Sequence, residues 1–82
     1  MGSSDDALLE RVIGIVETVY SVPPGIVGAE SSRDTIEQWD SLGHLVLMLE
    51  LEQEFGLQLS PDDTQGMTSV PAIVAMLGRR IA

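Results

Sequence analysis

The stretch EQWDSLGHLVLMLELEQEF, residues 37–55, decides how this chain is read. Asp40 can cap a helix by accepting from the amides of the first turn, and Gly56, just past Phe55, suits the left-handed C′ position. These signals predict a helix that begins after Asp40 and ends near Phe55. On a wheel of roughly 100° per residue its apolar side chains split into two stripes. Leu47, Met48, Leu51 and Phe55 lie on one side, and Leu42, Leu45, Val46 and Leu49 lie nearly opposite. Glu50 and Glu54 fall on one flank between them and Glu52 on the other. In a small helical domain one stripe faces the core, and the other is left exposed with an acidic rim, the form of an interaction surface. The alternative is a central helix buried on both faces.

Ser41 stands at the mouth of that helix, on the edge between the stripes. With Asp40 as the cap, Ser41 becomes the first helical residue, its hydroxyl turned to solvent at the positive end of the helix dipole. A phosphate attached there is stabilised by that dipole. A serine near a helix start is most often only a cap, so position alone does not assign it a role.

The whole chain bounds what this helix can serve. Eighty-two residues suit one domain, residues 1–82, without a second core or a deep cleft. An apolar content of 44% is too high for a disordered chain. Thirteen acids against four arginines and no lysine give a net charge of −9, which argues against nucleic acid and favours partners with basic surfaces. With no cysteine, neither disulfides nor thiolate metal sites can form. No apolar run reaches the roughly 20 residues of a membrane span, and no basic-then-apolar leader opens the sequence, so a cytoplasmic protein is expected. The opening MGSS, whether native or an expression remnant, carries no functional weight.

Outward from the central helix, a first helix is predicted from about Asp5 to Tyr20, with Ser3 or Ser4 as cap and Leu9, Val12, Ile13, Val16, Val19 and Tyr20 as its apolar face. SVPPG at 21–25 stops it, because Pro23 and Pro24 cannot continue a helix and Gly25 permits a turn. Residues 21–39 form an irregular connection of a length often associated with function, anchored by Ile26, Val27, Ile36 and Trp39. A short third helix follows Ser60 as cap and Pro61 as first residue, with Asp62 and Asp63 at the positive dipole end and Gly66 at its close. The last helix follows Ser69 and carries Val70, Ile73, Val74, Met76, Leu77 and Ile81 inward, with Arg79 and Arg80 at its C-terminal end. No alternation long enough for a strand occurs. The fold class is all-α, with three main helices, one short third helix and a long first loop.

His44, Trp39 and the Asp62-Asp63 pair invite catalytic, cargo or metal readings and support them weakly. His44, three residues past Ser41, is within contact range of it. No acid is placed to orient it as a base, and its wheel angle makes it a boundary residue facing the core. Trp39 reads as an anchor of the loop over the first helix, with a cargo channel as the other option. Asp62 and Asp63, even with Asp40 or Glu37, read as caps and solvated charge, so no metal site is assigned.

DSLGHLVLMLELEQEFG, residues 40–56, resembles the acyl carrier proteins. The resemblance rests on Asp40-Ser41-Leu42 at the start of the second of four helices and on Glu52, Phe55 and Gly56 at its end. It extends over nearly the whole chain through the first helix, the long loop, the short acidic third helix and a last helix opened by TSV. It implies an acyl-carrier-like four-helix bundle that carries cargo and does not catalyse. A phosphopantetheinyl transferase would attach 4′-phosphopantetheine from coenzyme A to Ser41, beside Asp40 of the motif, and acyl groups would ride the terminal thiol as thioesters. The reactive sulfur then belongs to the prosthetic group, consistent with a chain lacking cysteine. Leu42, Leu45, Val46, Leu49, Glu50, Glu52 and Glu54 would form the face gripped by that transferase, by an acyl-loading ligase or acyltransferase, and by a ketosynthase or other acyl-processing enzymes. Such encounters are expected to be weak, fast and salt-sensitive, with the carrier a monomer.

WDSLGHL departs from the lead-in of housekeeping fatty-acid carriers, which have Gly-Ala-Asp or Gly-hydrophobic-Asp. It is more similar to discrete bacterial carriers of specialised metabolism, such as polyketide biosynthesis. The Gly43-His44 pair also has a counterpart in peptidyl carrier domains, where Gly-His precedes the serine. Fatty-acid and aminoacyl or peptidyl carriage therefore stay open, as does a non-covalent helical interaction module that would not need Ser41.

Overall fold

The computed structural model describes residues 3–81, and the side chains of residues 6–80. The expected capping by Ser3 or Ser4, and the side chains of Asp5 and Ile81, lie outside the described residues. Four helices follow one another: α1 (Ser3–Tyr20), α2 (Ser41–Phe55), α3 (Pro61–Gly66) and α4 (Val70–Ile81). No strand occurs among the described residues, only an isolated antiparallel bridge between Ser32 and Ser69. No described helix is long and apolar enough to cross a membrane.

Helices α1, α2 and α4 share one core, in which Val12, Val16, Leu47, Leu51, Ile73 and Leu77 are wholly buried. The inward row of α1 is Leu8, Val12, Val16 and Tyr20, a strict i, i+4 ridge. Leu9, Ile13 and Val19, expected on that face, are only partly buried against it. The ridge is centred on the 8-12-16-20 line, which displaces the residues flanking it to the edge.

The end of α1 is set by its backbone, ahead of the prolines. Ser21 adopts φ 54°, the left-handed conformation usually given to glycine. The Ser21 amide donates to Thr18 O (3.3 Å) and the Val22 amide to Glu17 O (3.1 Å), the paired bonds of a Schellman close. Pro23 and Pro24 then prevent any resumption. Beyond them Val27, Ile36 and Trp39 enter the core, whereas Ile26, expected as an anchor, is 56% exposed. The Ile26 amide closes a turn onto Pro23 O (3.2 Å), and adjacent residues of so tight a bend cannot both point inward.

The rest of the loop is fastened to the start of α4. Val70 N donates to Ser31 O (2.8 Å) and Arg33 N to Thr68 O (3.1 Å). Ser69 caps α4, its hydroxyl oxygen accepting from the Ala72 amide at 3.1 Å.

Helix α3 contributes no buried residue and is held by polar groups. Ser60 and Asp63 form a reciprocal capping box, and Arg80 reaches Asp63 at 3.2 Å. The Ser60 amide holds the Asp63 carboxyl below the usual carboxylate range, helped by the Ser60 hydroxyl, Arg80 and Arg79 against a smaller opposing effect of desolvation.

The two stripes of α2 separate cleanly. Leu47, Met48 and Leu51 are buried, while Leu42 (70%), Leu45 (56%), Val46 (45%) and Leu49 (53%) are exposed. Phe55, expected in the core, sits at its margin, because the last turn of α2 places the ring under the Arg11 guanidinium, 4.4 Å away. Leu47→Ala and Leu51→Ala should each cost about 2–5 kcal/mol, and Leu42→Ala, Leu45→Ala and Leu49→Ala under about 1.5 kcal/mol. Urea melts of the five variants check this, and equal losses in both sets would mean that both faces are inside.

Candidate functional site

The site is the N-terminal end of α2. Asp40 has extended backbone (φ −92°, ψ −167°), and its carboxylate accepts from the Gly43 amide at 2.8 Å. Its carbonyl takes the first intrahelical bond, from the His44 amide (2.7 Å). Ser41 is therefore the first helical residue, and it is exposed.

Around this exposed serine the backbone is tightly constrained. The Tyr20 hydroxyl, at the end of α1, donates to Gly43 O at 2.8 Å. Burial, reinforced by the Asp40 charge and opposed by Arg33, pushes the Tyr20 phenol above the usual tyrosine range, so it remains a donor. A Cβ on Gly43 would collide with the Gln38 carbonyl and crowd the Tyr20 ring (3.1 Å) and the Asp40 carboxylate (3.2 Å). Only glycine permits α1, the loop and α2 to meet this closely.

Trp39 completes the support from below. Its ring is 1% exposed and lies 6.1 Å from the Tyr20 ring, tilted by 39°. The indole N–H donates to His44 Nδ1 at 2.9 Å, and His44 Nε2 lies 2.7 Å from Thr64 O. An indole can only donate and a carbonyl can only accept, so His44 carries its proton on Nε2. Both ring nitrogens are thus committed to structure, and His44 is a strut between Trp39 and α3. It has no free nitrogen to offer Ser41 as a base.

The exposed stripe of Leu42, Leu45, Val46 and Leu49 runs away from Ser41 along α2, and its three acids behave differently. Glu50 lines a shallow groove with Arg11 and Ile15. Glu54 pairs with Arg11 at 3.6 Å, an exposed contact of little energetic weight. Glu52 turns toward the connection to α3, its carboxylate accepting from the Leu59 amide at 2.8 Å and its carbonyl from Leu57 N at 3.2 Å. No group of three or more His, Cys, Asp or Glu that could hold a metal ion occurs among the described residues.

Sequence reasoning missed the Tyr20–Gly43 contact. Its one signal was a glycine in the first turn of a helix, where it weakens helix formation unless something must come close. Gly43→Ala should cost about 1–3 kcal/mol by overpacking and Tyr20→Phe about 1 kcal/mol for the lost hydrogen bond. Chemical denaturation of both variants checks this, and an unchanged midpoint for Gly43→Ala would show that the junction has room to yield.

No family model matches the chain. An acyl carrier protein of Thermosynechococcus vestitus (strain NIES-2133 / IAM M-273 / BP-1) is 29% identical over 75 residues, which cover 92% of this chain and 93% of that protein. The solution NMR structure of a holo acyl carrier protein from Geobacter metallireducens superposes with a TM-score of 0.78 at 22% identity, over 89% of this chain and 84% of that one, and shows the fold. The sequence relationship and the fold agree: the chain is similar to an acyl carrier protein over nearly its whole length and has the acyl-carrier fold.

Proposed function

We propose that Ser41 is the attachment point of a 4′-phosphopantetheine arm and that the described bundle works as one acyl carrier unit in the cytoplasm. The observation that carries this reading is an exposed serine at the first position of α2, on a backbone fixed from three sides and beside an exposed apolar stripe. The residues fit the group: the hydroxyl is reachable, the dipole of a 15-residue helix favours a phosphate, and among the described residues no side chain hydrogen-bonds the Ser41 hydroxyl. When bound, the arm supplies a thiol that carries acyl groups as thioesters. The chain itself holds the serine at a fixed point while leaving it accessible, and it offers the surface by which enzymes reach it.

That surface is the stripe of Leu42, Leu45, Val46 and Leu49 with Glu50 and Glu54 beside it, and Glu52 at its far flank. A phosphopantetheinyl transferase, an acyl-loading ligase or acyltransferase, and a ketosynthase or other acyl-processing enzyme would engage it in turn. Apolar contact gives each encounter its area, and acid against base gives it orientation and speed. The WDSLGHL lead-in favours polyketide or other specialised metabolism over fatty-acid synthesis.

Incubation with coenzyme A, magnesium and a broad-specificity phosphopantetheinyl transferase should add one phosphopantetheine, mapped to Ser41 by intact-mass and peptide spectrometry, and Ser41→Ala should add none. An adduct elsewhere, or none on the wild type, sinks the assignment. Glu50→Lys should slow this loading several-fold at low salt with an unchanged melting temperature, because a rim charge acts mainly on encounter. Glu52→Lys should lower the melting temperature by removing the acceptor of Leu59. Loading rates indifferent to Glu50 and to salt would place recognition elsewhere.

A further inference from the structure

The loop of residues 32–37 and the start of α4 enclose an open polar groove of about 560 Å³ that none of the foregoing roles uses. Asp40 forms part of its wall, so a chain leaving Ser41 begins one peptide link from its rim. The groove is built on fixed backbone, through the Ser32–Ser69 bridge and the bond from Arg33 N to Thr68 O.

Arg33, which lines this groove, stands apart from the other arginines. Arg11 pairs with Glu54, Arg80 pairs with Asp63, and Arg79 lies in the last turn of α4, where the helix dipole favours a cation. Among the described residues Arg33 forms no ion pair, although Asp34, Glu37 and Asp40 line the same groove. Arg33 and Asp40, the residue before Ser41, line the same groove, which places the arginine on the loop facing the start of α2.

We propose that this groove is a resting cradle for the phosphopantetheine arm, with Arg33 holding its phosphodiester. The proposal rests on the carrier reading of Ser41. The arm has one negative charge, at its phosphodiester, followed by a hydroxyl, two amides and a thiol. One guanidinium answers the one charge, in a molecule whose net charge is −9. The amide stretch meets a lining that suits it. The Ser32 and Ser69 oxygens accept from the amides of Asp34 and Ala72, which leaves their O–H groups to donate to the arm's carbonyls. The carboxylates of Asp34 and Glu37 can accept from its N–H groups. Three carboxylates would repel a dianion, and they tolerate a monoanion whose charge Arg33 neutralises. An arm resting here keeps its thiol against the loop side of the molecule, away from the apolar stripe, and a partner enzyme draws it out.

The test uses the intact holo protein, with complete loading at Ser41 first confirmed by mass. Failure to load overturns the carrier reading; the cradle is judged on loaded protein only. With an isotope-labelled arm, NMR should show nuclear Overhauser contacts from the arm to Thr68 and Ser69, and a phosphorus resonance displaced from that of a free phosphodiester. Arg33→Gln, loaded equally and with an unchanged apo melting temperature, should lose both signals, and Arg33→Lys should keep part of them. Raised salt should mimic Arg33→Gln on the wild type. An arm with free-solution resonances in the wild type overturns the proposal, and so do contacts that survive Arg33→Gln.

Discussion

A buried indole has one polar atom, and it must find an acceptor. Trp39 lies under the junction of α1 and α2 with its N–H out of reach of water, and His44 Nδ1 is the acceptor it finds. Filling that lone pair fixes the tautomer, so Nε2 must donate in turn, and the carbonyl of Thr64 receives it. One donor's requirement thereby sets the end of the long loop, the first turn of α2 and the position of α3. The Tyr20 hydroxyl and the bare Cα of Gly43 add the closure to α1. Ser41 sits above this assembly and takes no part in it. A carrier needs such a division, with a rigid base beneath and an unengaged hydroxyl on top.

The second constraint is area. With α1 and α4 on one side of α2 and only a six-residue α3 without a buried residue beyond it, the bundle has partners for one apolar stripe of α2. The other stripe is left to solvent, next to the serine. Burial follows the elements available to cover it, and what they leave uncovered is the face proposed above for docking.

Most of the fold could be read from the sequence because local chemistry dictates it. Asp40 and Gly56 mark the two ends of α2, Ser60-Pro61 opens α3, and the two stripes follow from spacing alone. The readings that failed concern choices between neighbours. Leu8 rather than Leu9 faces inward, and of the two loop anchors Ile26 and Val27 only Val27 is buried, because of helix rotation and turn geometry that a single-sequence pattern does not resolve. Phe55 reads as core until Arg11, forty-four positions away, is seen to cover it. At the site, the exposed serine, its cap and the apolar stripe were legible, and the structural commitment of His44 was legible only in outline. Its partners Trp39 and Thr64 lie five and twenty residues away, the latter on another helix. Glu52 was legible as lying on the opposite flank from Glu50 and Glu54, but its bond to the backbone amide of Leu59 was not.

The lack of any buried side chain in α3 has a consequence for how the molecule breathes. Opening this segment exposes no core hydrophobe of its own, and its cost is limited to a capping box, the pair with Arg80 and the bond to His44. The wholly buried Met67, immediately after it, marks where such an opening would stop. On this packing α3 is expected to open at lower cost than the three-helix body, as a small flap on a larger cooperative unit. The flap's bond to His44 makes the body's tryptophan its nearest spectroscopic witness, so each local opening would register in the surroundings of a single chromophore.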